Sequence, residues 1–150
     1  MNVSNHAATG AIIAIAFKEP AIALPLAFAS HFALDAVPHF GYKGNGGFTE
    51  FFKHKLTYFV LVLEFIAWVF LVFLLHAQPA VVILAALIAT SPDLVWLYRY
   101  FGFERRGVEP PAIGKLSHLH SILNWCERPW GILVELVWFS GAIFLLQRLT

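Results

Sequence analysis

Residues 56–75 read LTYFVLVLEFIAWVFLVFLL, a run of aliphatic and aromatic side chains broken only by Thr57 and Glu64. At the helical rise of about 1.5 Å per residue, a run of this length crosses the roughly 30 Å hydrocarbon core of a bilayer. Two further stretches, residues 79–98 and residues 130–146, have a similar composition. The three segments together predict a chain that crosses a membrane several times.

The whole chain has the composition of an integral membrane protein. Of its 150 residues, 59% are hydrophobic and 13% are charged, whereas about a quarter of the residues of a soluble domain are charged. The formal net charge of +1 provides no basic surface for phosphates, which argues against nucleic-acid binding. A chain of this length is predicted to form one domain, residues 1–150, embedded in the lipid bilayer.

The N-terminal third contains two shorter apolar segments, residues 7–17 and residues 21–37, on either side of Lys18-Glu19-Pro20. The first is short for a membrane span, so the pair predicts either a thin helical hairpin or a re-entrant one. In both cases the chain returns to its starting side. The predicted fold class is therefore all-α, a polytopic helical bundle with four to five apolar segments.

The loops predict an orientation. If the segments run up and down, both long loops, residues 40–55 and residues 99–128, lie on the side of the N-terminus, which we call side A. Eight of the ten Lys and Arg residues fall on side A, and only Lys18 and Arg148 lie opposite. The positive-inside rule then makes side A cytoplasmic.

The ionisable residues of the apolar segments also map to side A. In Ser30-His31-Phe-Ala-Leu-Asp35, His31 and Asp35 are four residues apart and share one helix face. An imidazole nitrogen and a carboxylate oxygen on one face are common metal ligands, and ionisable groups inside membranes usually serve function. The alternative is a His–Asp hydrogen bond that stabilises a buried helix. His39 follows Pro38, so we expect it to point into the next loop.

Three more side chains are candidate ligands at the same depth in the membrane as His31 and Asp35. Asp93 follows Pro92 within an apolar segment, where proline frees backbone carbonyl groups, and it could be a ligand or a general base. His118 and His120 diverge by about 200° on a helix, whereas in an extended segment they would share a face. We favour His120 for the site. Solvated histidines on an interfacial helix are the alternative. His6 opens the first segment.

Two glutamates, Glu64 and Glu135, lie at a similar depth on the third and last segments. Either one could act as a catalytic base or orient a ligand histidine. The alternative for both is an ion pair with a neighbouring Arg or His.

These motifs resemble those of the bacterial inner-membrane proteins known as membrane-bound metal-dependent hydrolases. The matching residues are His6; Ser30, His31, Asp35, Pro38 and His39; Pro92 and Asp93; and His120 with Ser121. The chain departs from the family pattern in three ways. The second Asp of Pro-Asp-x-Asp is missing after Asp93, the His-Arg-Gly-x-Thr-His-Ser segment is reduced to residues 117–121, and the Ser-His-x-x-x-Asp element comes first rather than last.

The residues and the resemblance lead to one hypothesis. A divalent metal ion, zinc above all, would be held by His31, Asp35, Asp93 and one of His6 or His120. Its position at headgroup depth suggests hydrolysis of a phospholipid or another amphiphilic (phospho)ester, and the resemblance implies the bacterial inner membrane. Two alternatives stay open: a protein that binds or conducts a metal ion or protons, and a structural protein whose polar cluster locks helix packing.

Overall fold

The computed structural model describes residues 1–42, 51–112 and 114–150. The helices of the described residues are α1 Val3–Phe17, α2 Pro20–Asp35, α3 Lys55–Leu75, α4 Ala80–Thr90, α5 Leu94–Gly102, α6 Lys115–Leu123 and α7 Gly131–Leu149. Short 3₁₀ turns follow α4, α5 and α6, at Ser91–Asp93, Glu104–Arg106 and Asn124–Cys126. The described part of the chain contains no β-strand, and the predicted all-α fold is confirmed.

Three helical stretches are long and apolar enough to cross a membrane: Lys55–Leu75, Ala80–Arg106 and Gly131–Leu149. Their outer faces carry large apolar side chains, and Phe73 and Val137 are 72% and 75% exposed. Leaving such side chains in water forgoes on the order of 2 kcal/mol each, so this surface is suited to hydrocarbon. The prediction of an integral membrane bundle is confirmed.

The helix α1 lies at the centre of the bundle and packs against α2, α3, α4 and α7. Its approach to α4 is closest at Gly10, where an added Cβ would lie 2.5 Å from the backbone oxygen of Ala85. Ala7, Ala11 and Ala14 of α1 are also buried. Such small residues let membrane helices pack at short range, so the position of α1 depends on them.

A two-residue turn joins α1 to α2. Lys18 adopts a left-handed backbone conformation with φ of 58°, and its N–H donates to the carbonyl oxygen of Ala14 at 3.0 Å. Pro20 then begins α2, a position where its missing N–H leaves no helical hydrogen bond unmade. The two helices have 15 and 16 residues, so the end of α2 returns to the level at which α1 begins.

The predicted segment 79–98 is broken in the structure. The helix α4 ends at Thr90, the 3₁₀ turn Ser91–Asp93 follows, and α5 begins at Leu94. Pro92 causes the break because it has no N–H to continue the helical hydrogen bonds. The Ser91 hydroxyl donates to the carbonyl oxygen of Ile88 at 2.8 Å. The break brings Asp93 beside α2.

Candidate metal centre

His31 and Asp35 form the middle of a buried polar cluster. They are 0% and 1% exposed, and the His31 Nε2 lies 3.1 Å from the Asp35 Oδ2. Their separation by one helical turn puts both side chains on the face of α2 that meets α1 and α4. The i,i+4 spacing thus produces the shared face that the sequence predicts.

His6 reaches this cluster from the first turns of α1. Its Nε2 lies 3.2 Å from the Asp35 Oδ1, and its ring stacks on that of His31 with 4.0 Å between centroids. His6 is completely buried, and its Nδ1 has no hydrogen-bond partner in the described part of the chain. A buried polar group without a partner costs about 1–3 kcal/mol, so this ring has unused capacity to bind a ligand. The amino nitrogen of Met1 also contacts the Asp35 Oδ1.

Asp93 and His120 complete the cluster. The Asp93 Oδ1 lies 3.7 Å from the His31 Nε2 and 3.8 Å from the His120 Nε2. The His120 Nε2 in turn lies 2.6 Å from the Asp35 Oδ2 and 3.2 Å from the His31 Nε2. On the same helix, His118 is exposed whereas His120 is 2% exposed, which is the divergence predicted for a helical segment.

The five residues His6, His31, Asp35, Asp93 and His120, which we call the His–Asp cluster, contain two overlapping sets of possible ligands. One set is His6, His31 and Asp93; the other is His31, Asp35 and His120; within each set the ligand atoms lie within 4.8 Å of one another. Ligand atoms of a tetrahedral zinc site lie about 3.3 Å apart, since each is roughly 2.0–2.1 Å from the metal. Either set is therefore close to the size that one cation would bridge.

Two neighbours of the cluster are not among the residues predicted from the sequence. The indole N–H of Trp96 donates to the His120 Nδ1 at 3.2 Å, and the His31 Nδ1 lies 2.8 Å from the carbonyl oxygen of Ala89. Both neighbours lie close in sequence to a residue that the sequence analysis names: Trp96 comes three residues after Asp93, and Ala89 comes three residues before Pro92. This nearness alone does not predict which histidine each neighbour contacts.

Glu64 and Glu135, predicted as a base or as outer carboxylates of the site, hold the beginning of α1. Glu64 accepts hydrogen bonds from the backbone N–H of Ser4 at 2.6 Å and from its hydroxyl at 2.8 Å. Glu135 accepts from the backbone N–H groups of Asn2 at 2.8 Å and Phe40 at 3.3 Å. The first N–H groups of a helix lack intrahelical partners and favour carboxylates. Among the described contacts, neither glutamate hydrogen-bonds to a histidine, and a catalytic role for either one stays a prediction.

A second pair of ionisable side chains lies beside the cluster but outside the spanning helices. His39, expected to point into a loop, is 3% exposed, and its Nε2 lies 3.9 Å from the Glu127 Oε1. The backbone N–H of Arg128 donates to the carbonyl oxygen of His39 at 2.9 Å. Burial raises the pKa of Glu127 to about 7 and lowers the pKa of His39 to about 4. This pair comes from two loops far apart in sequence, so no local pattern predicts it.

Comparisons of the chain with models of known protein families, with curated proteins and with solved structures find no match. The resemblance to membrane-bound metal-dependent hydrolases therefore stays a prediction.

Proposed function

We propose that the protein is a membrane-embedded, metal-dependent hydrolase whose divalent cation is bound by the His–Asp cluster. The observation that carries this proposal is the convergence of four elements on one buried point. The helices α1, α2 and α6 and the turn Ser91–Asp93 each contribute an imidazole or a carboxylate. A set of nitrogen and oxygen donors of this kind is typical of zinc, and also suits other divalent transition metals.

The charge of the cluster supports a cation. Asp35 is 1% exposed and Asp93 is 23% exposed, and both lie within a bundle whose other core residues are mainly alanine and leucine. Withdrawing a carboxylate from water costs several kcal/mol unless an opposite charge compensates it. The Met1 amino group compensates part of this charge at Asp35, and a divalent cation between the two carboxylates would supply the rest.

The chemistry requires an activated water molecule, and a bound divalent ion lowers the pKa of a coordinated water from about 16 towards neutrality. The chain contributes rigid positioning, because His6, His31, Asp35 and His120 are all at most 2% exposed. Asp93 is the most exposed member of the cluster, at 23%. A substrate would therefore approach from the side of the Ser91–Asp93 turn.

The depth of the cluster favours an amphiphilic substrate. The cluster lies where α1 begins and α2 ends, the level at which lipid headgroups meet the hydrocarbon core. A phospholipid or another amphiphilic (phospho)ester could place its polar group at Asp93 while its chains stay in the bilayer. The eight Lys and Arg residues of side A favour a cytoplasmic location for the cluster, and the resemblance to membrane-bound metal-dependent hydrolases implies a bacterial inner membrane.

Conduction of a metal ion or of protons has less support. Beyond the cluster, the described core between α1, α2 and α4 is formed by small apolar residues, including Ala11, Ala14, Ala23 and Ala85, each at most 2% exposed. A conducting path requires polar side chains or water along its length. This packing favours a site that opens at one end only.

The test is the metal content of the detergent-purified protein, measured by mass spectrometry after supplementation with zinc, manganese or iron. We expect near-stoichiometric metal in the wild type and in the control His118→Ala, and its loss in His31→Ala and Asp35→Asn. The loaded protein should then hydrolyse phosphoesters or carboxylic esters of amphiphiles in mixed micelles. A folded wild type without metal would overturn the proposal, and so would bound metal that crosses proteoliposomes without any ester turnover.

A further inference from the structure

Trp96 determines which nitrogen of His120 carries the proton. An indole nitrogen is a donor only, so the His120 Nδ1, 3.2 Å from the Trp96 Nε1, must accept and has no proton of its own. The neutral ring of His120 then carries its proton on Nε2. A doubly protonated ring would place two N–H groups against each other.

His31 has the opposite arrangement. Its Nδ1 lies 2.8 Å from the carbonyl oxygen of Ala89, and a carbonyl oxygen only accepts. The proton of His31 is therefore on Nδ1, and its Nε2 has a free lone pair. The two Nε2 atoms face each other at 3.2 Å, as a donor and an acceptor. The hydrogen bonds thus run in one direction, from Trp96 through His120 and His31 to Ala89.

We infer that His31 binds the cation through Nε2, whereas His120 is a positioning residue that donates its Nε2–H to Asp35 and is not a ligand. The role of His120 rests on the proposed metal site, but the positions of the protons do not. Once the lone pair of His31 is occupied, the nearest acceptor left for the N–H of His120 is the Asp35 Oδ2, which lies 2.6 Å away and otherwise has no hydrogen-bond partner in the described part of the chain. A residue that does not bind the metal itself can orient a ligand carboxylate by a hydrogen bond of this kind.

The direction of these hydrogen bonds decides which residues of the two overlapping ligand sets can bind the cation. With Oδ2 of Asp35 held by His120, Oδ1 remains on the side of His6, 3.2 Å from its Nε2. The ligands are then His6, His31, Asp93 and the Oδ1 of Asp35, from which the cation would displace the Met1 amino group. His120 is excluded because ligation through Nε2 would need a proton on Nδ1, opposite the indole N–H of Trp96.

The same directions of donation stop proton transfer at the two ends of the chain. At one end stands an indole N–H, which does not accept a proton, and at the other a backbone carbonyl, which does not donate one. A proton could enter neither from Trp96 nor through Ala89. Exchange is left to the two Nε2 atoms, which face the Asp35 carboxylate.

The first test is nitrogen NMR of histidine-labelled, metal-free wild-type protein in detergent, with assignment by His31→Gln and His120→Gln. The shifts of protonated and unprotonated ring nitrogens differ widely, so each tautomer is read directly. We expect a proton on Nδ1 of His31 and on Nε2 of His120. Equal tautomers at either position, or the reverse assignment, would overturn the inference. This measurement needs no metal, so it stands even if the proposed function fails.

The second test is cobalt binding to purified protein, followed by its visible absorption spectrum. Because a glutamine amide can still donate to Asp35, His120→Gln should keep one bound cobalt and the wild-type spectrum, with an affinity about 10–100 times weaker. His6→Gln and His31→Gln, which remove ligands, should change the spectrum or abolish binding. A His120→Gln spectrum altered in the same way as that of His31→Gln would identify His120 as a ligand and overturn the assignment.

Discussion

The Nδ1–H of His31 donates to the backbone oxygen of Ala89 across 2.8 Å, and this oxygen is available because Pro92 follows three residues later. In the 3₁₀ turn Ser91–Asp93, each N–H is directed three residues back rather than four. At that spacing the residue facing Ala89 is Pro92, which has no N–H. A break in one helix thereby orients a histidine of another.

Pro92→Ala should therefore weaken cation binding. The new N–H at position 92 would compete with His31 for the oxygen of Ala89, and restoring the helix would move Asp93. Loss of a hydrogen bond that orients a ligand histidine typically weakens metal binding 10–100-fold, and we expect about tenfold here. The measurement is a cobalt or zinc titration. Pro25→Ala is the matched control, because Pro25 is exposed within α2; an equal loss in both variants would contradict the explanation.

Gly10→Val should separate α1 from α4. Its Cβ would lie 2.5 Å from the Ala85 oxygen and 2.8 Å from the Ala89 Cβ, and this backbone cannot yield locally. Overpacking of this kind costs about 1–3 kcal/mol, and it would carry His6 away from His31. We expect a lower thermal midpoint in detergent together with loss of metal binding. The control Gly141→Val adds the same side chain where nothing lies within 4 Å, so it should leave both quantities unchanged.

Glu135 offers a way to separate an anchoring role from a catalytic one. Glu135→Ala would leave the N–H groups of Asn2 and Phe40 without their acceptor, at a cost on the order of 3 kcal/mol. Glu135→Gln keeps an acceptor oxygen and should be much milder. If the glutamate acts as an anchor, the Gln variant retains most of its turnover per bound metal. If it is the catalytic base, the Gln variant binds metal but is inactive, and steady-state kinetics on metal-loaded protein distinguishes the two.

The pair His39–Glu127 should make stability depend on pH. Burial raises the pKa of Glu127 from 4.5 to about 7, so between these values the unfolded chain has lost a proton that the folded chain keeps. Stability attributable to Glu127 therefore falls as pH rises through this window. Burial of His39, whose pKa falls from 6.5 to about 4, acts in the opposite direction.

Glu127→Gln removes the glutamate contribution and leaves that of His39. We expect the thermal midpoint of the variant to rise relative to wild type between pH 4.5 and pH 7, and the difference to stay constant at higher pH. The exposed Glu109→Gln is the control. A difference that does not change with pH would show that Glu127 ionises in the folded protein as it does in the unfolded chain.

Local patterns predict much of this architecture. The lengths of the apolar runs predict four to five segments, Pro92 indicates that backbone carbonyl groups before it are freed, and the four-residue spacing of His31 and Asp35 predicts their shared face. The helical period predicts that only one of His118 and His120 can face the site. These features depend on residues within one or two turns, where backbone geometry leaves few alternatives.

Only the tertiary structure decides which buried carboxylates join the histidines. Asp93 and Glu135 lie at similar depth in the sequence pattern, yet Asp93 meets His31 whereas Glu135 meets the backbone of Asn2. Each residue along a helix turns the side chain by about 100°, so the partner depends on how every helix is rotated about its axis. That rotation is set by contacts between distant small residues, such as Gly10 against Ala85. The sequence by itself therefore determined the segments and their polar faces, and the packing of α1 against α4 decided which faces meet.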